Sequence, residues 1–532
     1  MLRISDIKMP LGASSEELKI TAAEVIGVSP ADFITFTVSR ESIDCRKKGN
    51  IMMTYSVDVR LDCREEDIAA GFPQNRVLYF KPKDYTIPEN KRTSKFRPII
   101  VGFGPAGMFA GLILAECGLK PIILERGNDV DTRTRDVQSF WSRRNLDTES
   151  NVQFGEGGAG TFSDGKLTTG IKDGRVGVVL ETLKKYGAPA EITYSARPHI
   201  GTDRLGEVVK NIRNRIIDLG GEVKFGCKLT GIYHANTFIQ GITYESRSDG
   251  SHDIETDCLI ICTGHSARDT VEMLYKSGVK MEKKAFSVGT RIEHPQELIN
   301  KAQYGTEYKN PLLPAADYKL SNHPEHGRGG YTFCMCPGGT VVLASSEENR
   351  VVVNGMSEYA RDGENANSAI LVGIEPDTIE SDHPLAGIAI QREIEDSAFL
   401  YGEKSYSAPC QLVGDFLAGK PSKKLGSVNP SCPTGVVPSD MTLVLPSYIT
   451  DNIKSAIIAW DKKLKNYALP DAVLTFPESR SSSPVRIVRD EFFQTNIRGI
   501  YPCGEGAGYA GGIVSAAVDG MRCAEAVLSD ET

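Results

Sequence analysis

Three glycines near residue 100 have the spacing of a phosphate-binding turn. Gly102, Gly104 and Gly107 form G-x-G-x-x-G within PIIVGFGPAGMFAGLILAEC, between a strand-like apolar run and a helix-like apolar run. The first glycine permits a tight turn, the second lets a pyrophosphate approach the backbone, and the third lets the helix pack on the strand. Pro105 and Ala106 begin that helix, whose first N–H groups attract phosphate. The pattern predicts a dinucleotide-binding β-α-β unit.

Two later features extend this predicted site. PIILERG supplies the next strand, and Glu125 ends it. A carboxylate there accepts hydrogen bonds from ribose hydroxyls and disfavours the 2′-phosphate of NADP. Arg126 follows directly and is included among the predicted cofactor contacts. The glycine-rich segment NVQFGEGGAGTFSDGKLTTG contributes Gly157 and Gly158, whose backbone freedom suits a cofactor loop. A purely structural glycine-rich loop is the alternative.

The C-terminal segment distinguishes FAD from NAD. Gly504-Glu505 ends a strand-like run, where flavoproteins that resemble glutathione reductase have a Gly-Asp that binds the ribityl chain. The helix that follows would point its positive end at the flavin and stabilise its reduced, anionic form. The segment CLIICTGHSA is similar to the strand–Thr–Gly motif of the same flavoproteins. These ordered elements favour FAD, with predicted contacts from Thr263, Gly264, Gly504, Glu505, Gly511, Gly512 and Ile513.

The stretch YTFCMCPGG places Cys334 and Cys336 one residue apart. Alternation along a strand puts both thiols on one face, with Met335 on the other. A metal site needs two further ligands, and none is nearby in sequence. A disulfide between such residues in an extended strand would be strained and reducible. Two readings are left: core packing, and a strand that lines the substrate cavity with two candidate catalytic thiols.

The block RPHIGTDRL offers polar side chains for a substrate. Arg197 is a candidate anion ligand, and His199 is a candidate general acid or base near pH 7. A structural role for His199 is equally compatible with the sequence. Thr202 and Asp203 are predicted to cap the helix that follows them.

Arginines near residue 480 suggest a second anion site. The block SRSSSPVRIVRD includes Arg480 and Arg486 beside three serines, a composition that can bind a carboxylate or a cofactor phosphate. A solvated basic loop is the alternative. His323 and His326 lie three residues apart without an acidic or cysteine partner at ligand spacing, so we predict no metal site.

Taken together, these blocks resemble a family of uncharacterised bacterial FAD-dependent dehydrogenases within the glutathione-reductase-like flavoprotein superfamily. The resemblance covers nearly the whole chain and implies a small N-terminal α/β domain before the FAD domain. It implies no particular substrate. The blocks that carry it are GFGPAG, NVQFGEGGAGTFSDGKL, RPHIGTDRL, YTFCMCPGG, NGMS, SSSPVRIVRD and CGEGAG.

The predicted fold is α/β, with a discontinuous Rossmann-like FAD-binding domain. Its two parts are residues 96–285 and 485–532, and a mixed α+β substrate domain spans residues 286–484. Residues 1–95 form the small α/β domain, with a helix over 14–28 and strands over 33–44 and 50–62. Because the inserted region shows no second nucleotide-binding pattern, we expect no separate NADPH domain. A reduced nicotinamide would dock only transiently.

The length, net charge and cysteine count of the chain argue against several classes of function. The 532 residues carry a net charge of -8, which argues against bulk binding of nucleic acid. A signal peptide is not apparent, and no window approaches the roughly 20 apolar residues that span a bilayer. The 12 cysteines are scattered apart from the one pair, which suits a reducing compartment. We therefore expect a cytoplasmic protein with a small-molecule substrate.

The favoured function is that of an FAD-dependent oxidoreductase that transfers hydride between the flavin and a small anionic metabolite. One alternative is an RNA-modifying flavoprotein, which the acidic charge disfavours. Another is a non-catalytic flavin-binding redox sensor.

Overall fold

The N-terminal residues follow the order β-α-β-β-α-β in the computed structural model, which describes residues 1–82, 85–324 and 328–530. The four strands form one antiparallel sheet in the order β2-β3-β1-β4, and α1 packs its apolar side on that sheet. Ser14 and Glu17 form a capping box at the start of α1. The predicted helix and both predicted strands are confirmed. The elements are β1 (Leu2–Pro10), α1 (Ser15–Ile26), β2 (Phe33–Asp44), β3 (Met52–Leu61), α2 (Glu65–Ala70) and β4 (Val77–Tyr79).

The next part of the chain builds most of the predicted nucleotide-binding domain. The strands Ile99–Val101, Ile122–Leu124 and Leu259–Ile261 are continuous apolar runs, as expected of strands buried on both faces. The elements are β5 (Ile99–Val101), α3 (Pro105–Glu116), β6 (Ile122–Leu124), α4 (Val130–Arg143), α5 (Arg175–Lys185), α6 (Thr202–Asp218), β7 (Glu222–Lys224), β8 (Cys227–Ala235), β9 (Phe238–Ser246), β10 (Gly250–Glu255), β11 (Leu259–Ile261), α7 (Arg268–Lys276) and β12 (Met281–Lys283).

The inserted region forms a larger, mostly antiparallel sheet. The helix Ser447–Asp461 packs on one half of this sheet, and the helix Ala386–Tyr401 packs on the other half. Together they cover the largest apolar core of the described residues. The elements are β13 (Phe286–Pro295), α8 (Gln296–Tyr304), β14 (Ser321–Asn322), β15 (Gly330–Cys336), β16 (Thr340–Leu343), β17 (Val353–Met356), β18 (Asn365–Ile374), α9 (Ala386–Tyr401), β19 (Ala408–Leu412), α10 (Val413–Leu417), β20 (Val436–Pro438), α11 (Ser447–Asp461) and β21 (Val473–Glu478). The strand order is β14-β15-β18-β13-β21-β19-β20.

The C-terminal part returns to the nucleotide-binding domain through β22 (Val485–Ile487), β23 (Ile500–Pro502) and α12 (Ile513–Ser529). β23 adds to a five-stranded parallel sheet in the order β23-β11-β5-β6-β7. One face of that sheet is covered by α3, α6 and α12, and the other by α7 and the β8-β9-β10 sheet. The predicted α/β class with a discontinuous Rossmann-like domain is confirmed.

The two segments that connect the nucleotide-binding domain to the inserted domain lie side by side. β12 precedes the insertion and β22 follows it, and the two strands pair antiparallel. The inserted domain is therefore anchored by a two-stranded ribbon at its base. Within the described residues, every helix is too short or too polar to cross a bilayer.

Candidate functional site

A cavity of about 710 Å³ is lined by residues of both the parallel sheet and the inserted domain. The carboxyl ends of β5, β6, β11 and β23 open into it, which is where open α/β sheets bind ligands. Its volume lies within the range typical of cofactor and substrate sites.

The GFGPAG turn needs its glycines for contacts of the backbone. Gly102 has φ +99, and a Cβ there would lie 2.4 Å from the carbonyl oxygen of Cys262. A Cβ on Gly107 would lie 1.9 Å from the carbonyl oxygen of Gly102, so only glycine lets α3 approach β5. Gly104, Pro105 and Ala106 line the cavity in front of this contact. Gly107 thus lies behind the wall and acts on the cofactor site through packing.

Glu125 holds the loops around the cavity together. Its carboxylate accepts hydrogen bonds from the backbone N–H groups of Phe103, Gly127 and Gly155, at 2.8, 2.9 and 2.9 Å. The side chain is 4% exposed and still lines the cavity. The residue predicted as a ribose ligand therefore also fixes the geometry of three backbone segments.

Arg133 of α4 holds the glycine-rich loop of residues 151–160 through hydrogen bonds from its guanidinium. This guanidinium is fully buried and donates to five carbonyl oxygens. Burial lowers the pKa of Arg133 to about 10, although nearby carboxylates oppose the shift. Nothing in the sequence pattern had singled out Arg133. Its five acceptors are Asn151, Val152, Gly155, Glu156 and Gly158.

Of the two glycines of this loop that were predicted to contact the cofactor, only one lines the cavity. Gly158 lines the cavity, whereas the N–H of Gly157 donates to Phe103 behind the wall. Arg126 also lines the cavity, but its guanidinium already pairs with Glu149 and Asp269.

The far end of the cavity is built from the segments predicted to contact the flavin. Thr263, Gly264 and Glu505 line it, whereas the N–H of Gly504 points away and donates to Asp519 at 2.7 Å. Glu505 Oε1 lies 3.3 Å from Nδ1 of His265, another lining residue. The Nε2 atom of His265 is buried and has no hydrogen-bond partner among the described residues.

The N-terminus of α12 also opens into this end. Gly511, Gly512 and Ile513 lie in the lining, and a Cβ on either glycine would meet nothing within 4 Å, so the space beside this turn is open. Gly512 is the N-cap of α12 and has no side chain, so the first N–H groups of the helix can interact with a ligand.

The donor set therefore fits FAD. The GFGPAG turn with the N-terminus of α3 suits the pyrophosphate, and Glu125 suits a ribose. The N-terminus of α12, with Glu505 and His265, suits the ribityl chain and the ring system.

Opposite these segments, β15 carries the cysteine pair on a distorted strand. The pairing of β15 with β18 shifts register between Phe333 and Cys336, and Cys334 has φ +41. This bulge breaks the regular alternation on which the prediction for the two thiols relied. Cys334 lines the cavity, whereas Cys336 is fully buried behind it.

Positive charge surrounds the pair. Buried Arg291 donates to the carbonyl oxygen of Cys334, and its Nη2 lies 3.9 Å from Cys336 Sγ. Lys166 donates to the carbonyl oxygen of Met335 and pairs with Asp164 at 2.8 Å. The hydrogen bond with Cys336 is the largest effect that lowers the pKa of Cys334, and Lys166 and Arg291 add to it against burial. The same pairing raises the pKa of Cys336.

Glu478 at the end of β21 completes this cluster. Its carboxylate lines the cavity and pairs with Arg291 at 2.8 Å. Burial raises the pKa of Glu478 to about 7, although Arg291 opposes the shift. Lys166, Arg291, Arg361 and Glu478 were not predicted, because they come from segments that only tertiary folding brings to the cysteines.

The three arginines predicted to bind substrate differ in their positions and in their ion-pair partners. Arg197 lines the cavity, is 66% exposed and pairs with Asp317. Arg480 also lines it, but its guanidinium is bound by Glu395 and Ser346. Arg486 lies outside the lining, in β22, and pairs with exposed Glu282 of β12 across the two-stranded ribbon.

The RPHIGTDRL block packs against the inserted domain. His199 lies outside the cavity lining, where its ring stacks on Tyr359 and its Nε2 lies 3.1 Å from the Tyr359 carbonyl oxygen. The capping prediction was wrong, since Gly201 is the N-cap of α6. Thr202 instead donates to the carbonyl oxygen of Thr161, and Asp203 accepts from Tyr359 N–H. His326, named with His323 in the rejected metal site, lies outside the described residues.

Comparisons with known proteins agree with FAD as the cofactor. Residues 285–481 match the family model "FAD-dependent protein, C-terminal domain-like", and residues 1–60 match a domain of unknown function, DUF8436. An uncharacterized protein of Clostridium beijerinckii is 47% identical over 531 residues, which is 99% of this chain and 98% of that protein.

Solved structures resemble the chain only distantly. The flavin-dependent brominase Bmp2 is 13% identical with a TM-score of 0.37, over 81% of this chain and 78% of that one. A geranylgeranyl bacteriochlorophyll reductase-like protein from Thermoplasma acidophilum is 11% identical with a TM-score of 0.36, over 81% and 77%. Scores of this size say nothing about activity. On the strength of its C. beijerinckii relative and the matched domain, the chain belongs to the same family as that protein, a family of FAD-dependent proteins.

Proposed function

We propose that the protein is an FAD-dependent oxidoreductase that transfers hydride between the flavin and a small anionic molecule. The observation that carries the proposal is the shared cavity. The ionisable cluster around Cys334 and the nucleotide-binding loops line the same space, so a molecule beside the cluster would also be close to the cofactor.

The charge of the cavity favours an anion. Among the described residues that line it, seven are lysine or arginine and four are aspartate or glutamate. Carboxylates behind the lining neutralise several of these cations, as at Arg126 and Arg480. Lys166 and Arg361 share the single carboxylate of Asp164, which leaves positive charge at the wall to attract an anion. The cations are Arg126, Lys166, Arg197, Lys228, Lys319, Arg361 and Arg480, and the acids are Glu125, Asp317, Glu478 and Glu505.

The chain's own groups would position the substrate and handle its proton. FAD, when bound, supplies the acceptor or donor of hydride. Glu478, with its pKa near 7, can give or take a proton at neutral pH. Arg361 and Lys166 both pair with buried Asp164, which holds the two cations at the cavity wall. The N-terminus of α12 would stabilise negative charge at the flavin end.

Anaerobic spectroscopy of the purified holoprotein tests the proposal. We expect NADH or NADPH to bleach the bound FAD, and an oxidised anionic acceptor from a panel of small carboxylates and disulfides to restore its absorbance. Arg361→Gln should raise the KM for that acceptor, while Lys301→Gln, at an exposed ion pair outside the cavity, should leave it unchanged. Bound FAD that no hydride donor reduces would instead support a sensor.

A further inference from the structure

We propose that Cys334 and Cys336 form a redox-active dithiol that reduces a small disulfide bearing carboxylate groups. This inference rests on the proposed function for the supply of electrons through FAD, and it names the oxidant.

The bulge in β15 makes a disulfide within this pair feasible. In a regular strand, residues i and i+2 lie about 6.5 Å apart, farther than the roughly 3.8 Å between Cβ atoms that a disulfide requires. Here the strand is distorted at Cys334, whose φ is +41, and the Sγ of Cys336 folds back to within 3.2 Å of the carbonyl oxygen of Cys334. The distortion at Cys334 thus shortens the reach between the two residues and holds the Cys336 thiol beside Cys334.

The two thiols have unequal positions. Cys334 is partly exposed and lines the cavity, so it lies closer to a ligand than its partner does. Cys336 is 0% exposed, and its Sγ donates to the carbonyl oxygen of Cys334 at 3.2 Å. Cys334 is therefore the attacking thiol and Cys336 the resolving one.

Nearby charge suits both the thiolate and its substrate. Lys166 and Arg291 contact the backbone beside the pair and stabilise a negative sulfur. Arg361, Arg197 and Lys319 lie farther along the same cavity wall, where they can attract carboxylates of a ligand.

The exchange balances as follows. The Cys334 thiolate attacks one sulfur of the disulfide, forms a mixed disulfide and releases one thiolate of the substrate. Cys336 loses its proton and attacks Cys334 Sγ, which releases the second thiolate and closes the Cys334–Cys336 bond. The substrate gains two electrons, and its two thiolates take one proton from Cys336 and one from solvent. FAD, when bound and reduced by a nicotinamide, would return two electrons to the closed pair, which would take up protons to restore its two thiols.

The other buried thiols of the nucleotide-binding domain do not offer the same chemistry. Cys262, Cys503 and Cys523 are buried, and burial raises the pKa of each. The carboxylate of Asp519 beside them is occupied by Arg489 and by the N–H of Gly504, so this group packs beneath the glycine turn.

The test uses 5,5′-dithiobis(2-nitrobenzoate), a disulfide with two carboxylates, on the reduced holoprotein without oxygen. The tryptic peptide of residues 329–350 contains only these two cysteines, which separates them from exposed Cys63. In the wild type we expect this peptide to lose two hydrogens and retain no thionitrobenzoate. Cys336→Ser should retain one thionitrobenzoate on Cys334, and Cys334→Ser should leave the peptide unmodified.

Light-driven reduction of the bound FAD then tests the electron path. We expect the closed peptide to return to two free thiols while the flavin absorbance recovers. A wild-type peptide that stays unmodified, or keeps its thionitrobenzoate, would overturn the inference. So would a closed peptide that persists beside reduced FAD. Failure of nicotinamide to reduce the FAD is a separate result, which counts against the proposed function alone.

Discussion

The guanidinium of Arg268 in α7 lies 2.8 Å from the carboxylate of Glu395 in α9, and this buried pair joins the nucleotide-binding domain to the inserted domain. Arg480, which follows the end of β21, binds the same carboxylate at a distance of 2.7 Å. Burial alone would raise the pKa of Glu395, but the charges of the two arginines outweigh it and hold that pKa well below its usual range. The cavity wall beside Arg480 depends on this junction.

We expect Glu395→Gln to destabilise the protein by about 3–5 kcal/mol, because two buried guanidinium groups lose their buried carboxylate and must share the more exposed Glu347. Denaturant unfolding of the holoprotein measures the change. Glu297→Gln removes an exposed ion pair with Lys301 and should cost less than about 0.5 kcal/mol. The stabilisation by Glu395 should be present above its unfolded-state pKa and be lost as pH falls. Equal stability of the two variants would contradict the structural role of the junction.

Gly107→Ala should abolish FAD binding, since its Cβ would lie 1.9 Å from the carbonyl oxygen of Gly102 and push α3 off β5. Such overpacking also costs about 1–3 kcal/mol of stability. The flavin content after reconstitution is the measurement. Gly177→Ala in α5 is the matched control, because its Cβ would meet nothing within 4 Å and should stabilise the helix by about 1 kcal/mol.

Arg133→Met should loosen the glycine-rich loop and weaken FAD binding by tenfold or more, because several buried carbonyl oxygens lose their donor. Fluorescence titration of the apoprotein with FAD gives the affinity, and limited proteolysis reports cleavage within residues 151–160. Arg135→Met, at an exposed position of the same helix, is the control. Unchanged affinity in both variants would remove Arg133 from the cofactor site.

Glu478 should make stability fall as pH rises. A carboxyl group whose folded-state pKa is raised from 4.5 to about 7 binds its proton more tightly in the folded state. Its contribution is therefore present at low pH and is lost between these two values, by on the order of 3 kcal/mol. Glu478→Gln should flatten this part of the stability profile, whereas Glu282→Gln at an exposed site should not. A profile of the same slope in Glu478→Gln would be inconsistent with a buried, proton-binding carboxyl.

Lys166→Met should shift the pH midpoint for alkylation of Cys334 upward. The positive charge of Lys166 contributes to the lowered pKa of this thiol, and the thiolate is the species that iodoacetamide attacks. Mass analysis of the 329–350 peptide after timed exposure gives the rate at each pH. Lys319→Met removes a different cation of the cavity and should leave the midpoint in place. A shift of equal size in both variants would point to the general charge of the cavity.

The spacing of apolar residues correctly predicted the helices and strands that are regular along their whole length. The helix Ser15–Ile26 and the strand Phe33–Asp44 follow apolar spacing of 3.6 and 2 residues, and they lie where expected. β1 was not assigned, because a bulge between Ile4 and Ile7 interrupts its alternation. The same kind of irregularity in β15 removes the regular alternation that was assumed for the cysteine pair.

The sequence by itself determined the cofactor site, because a phosphate-binding turn is a local object whose glycines, strand and helix are contiguous. GFGPAG, Glu125 and the Gly511–Gly512 turn therefore identified FAD without coordinates. Only the tertiary structure decided what faces the cofactor. Cys334, Lys166 and Glu478 come from three distant segments, and which side chains turn toward the cavity depends on a bulge and on buried charges. No local period encodes those contacts, since they are set by packing between domains.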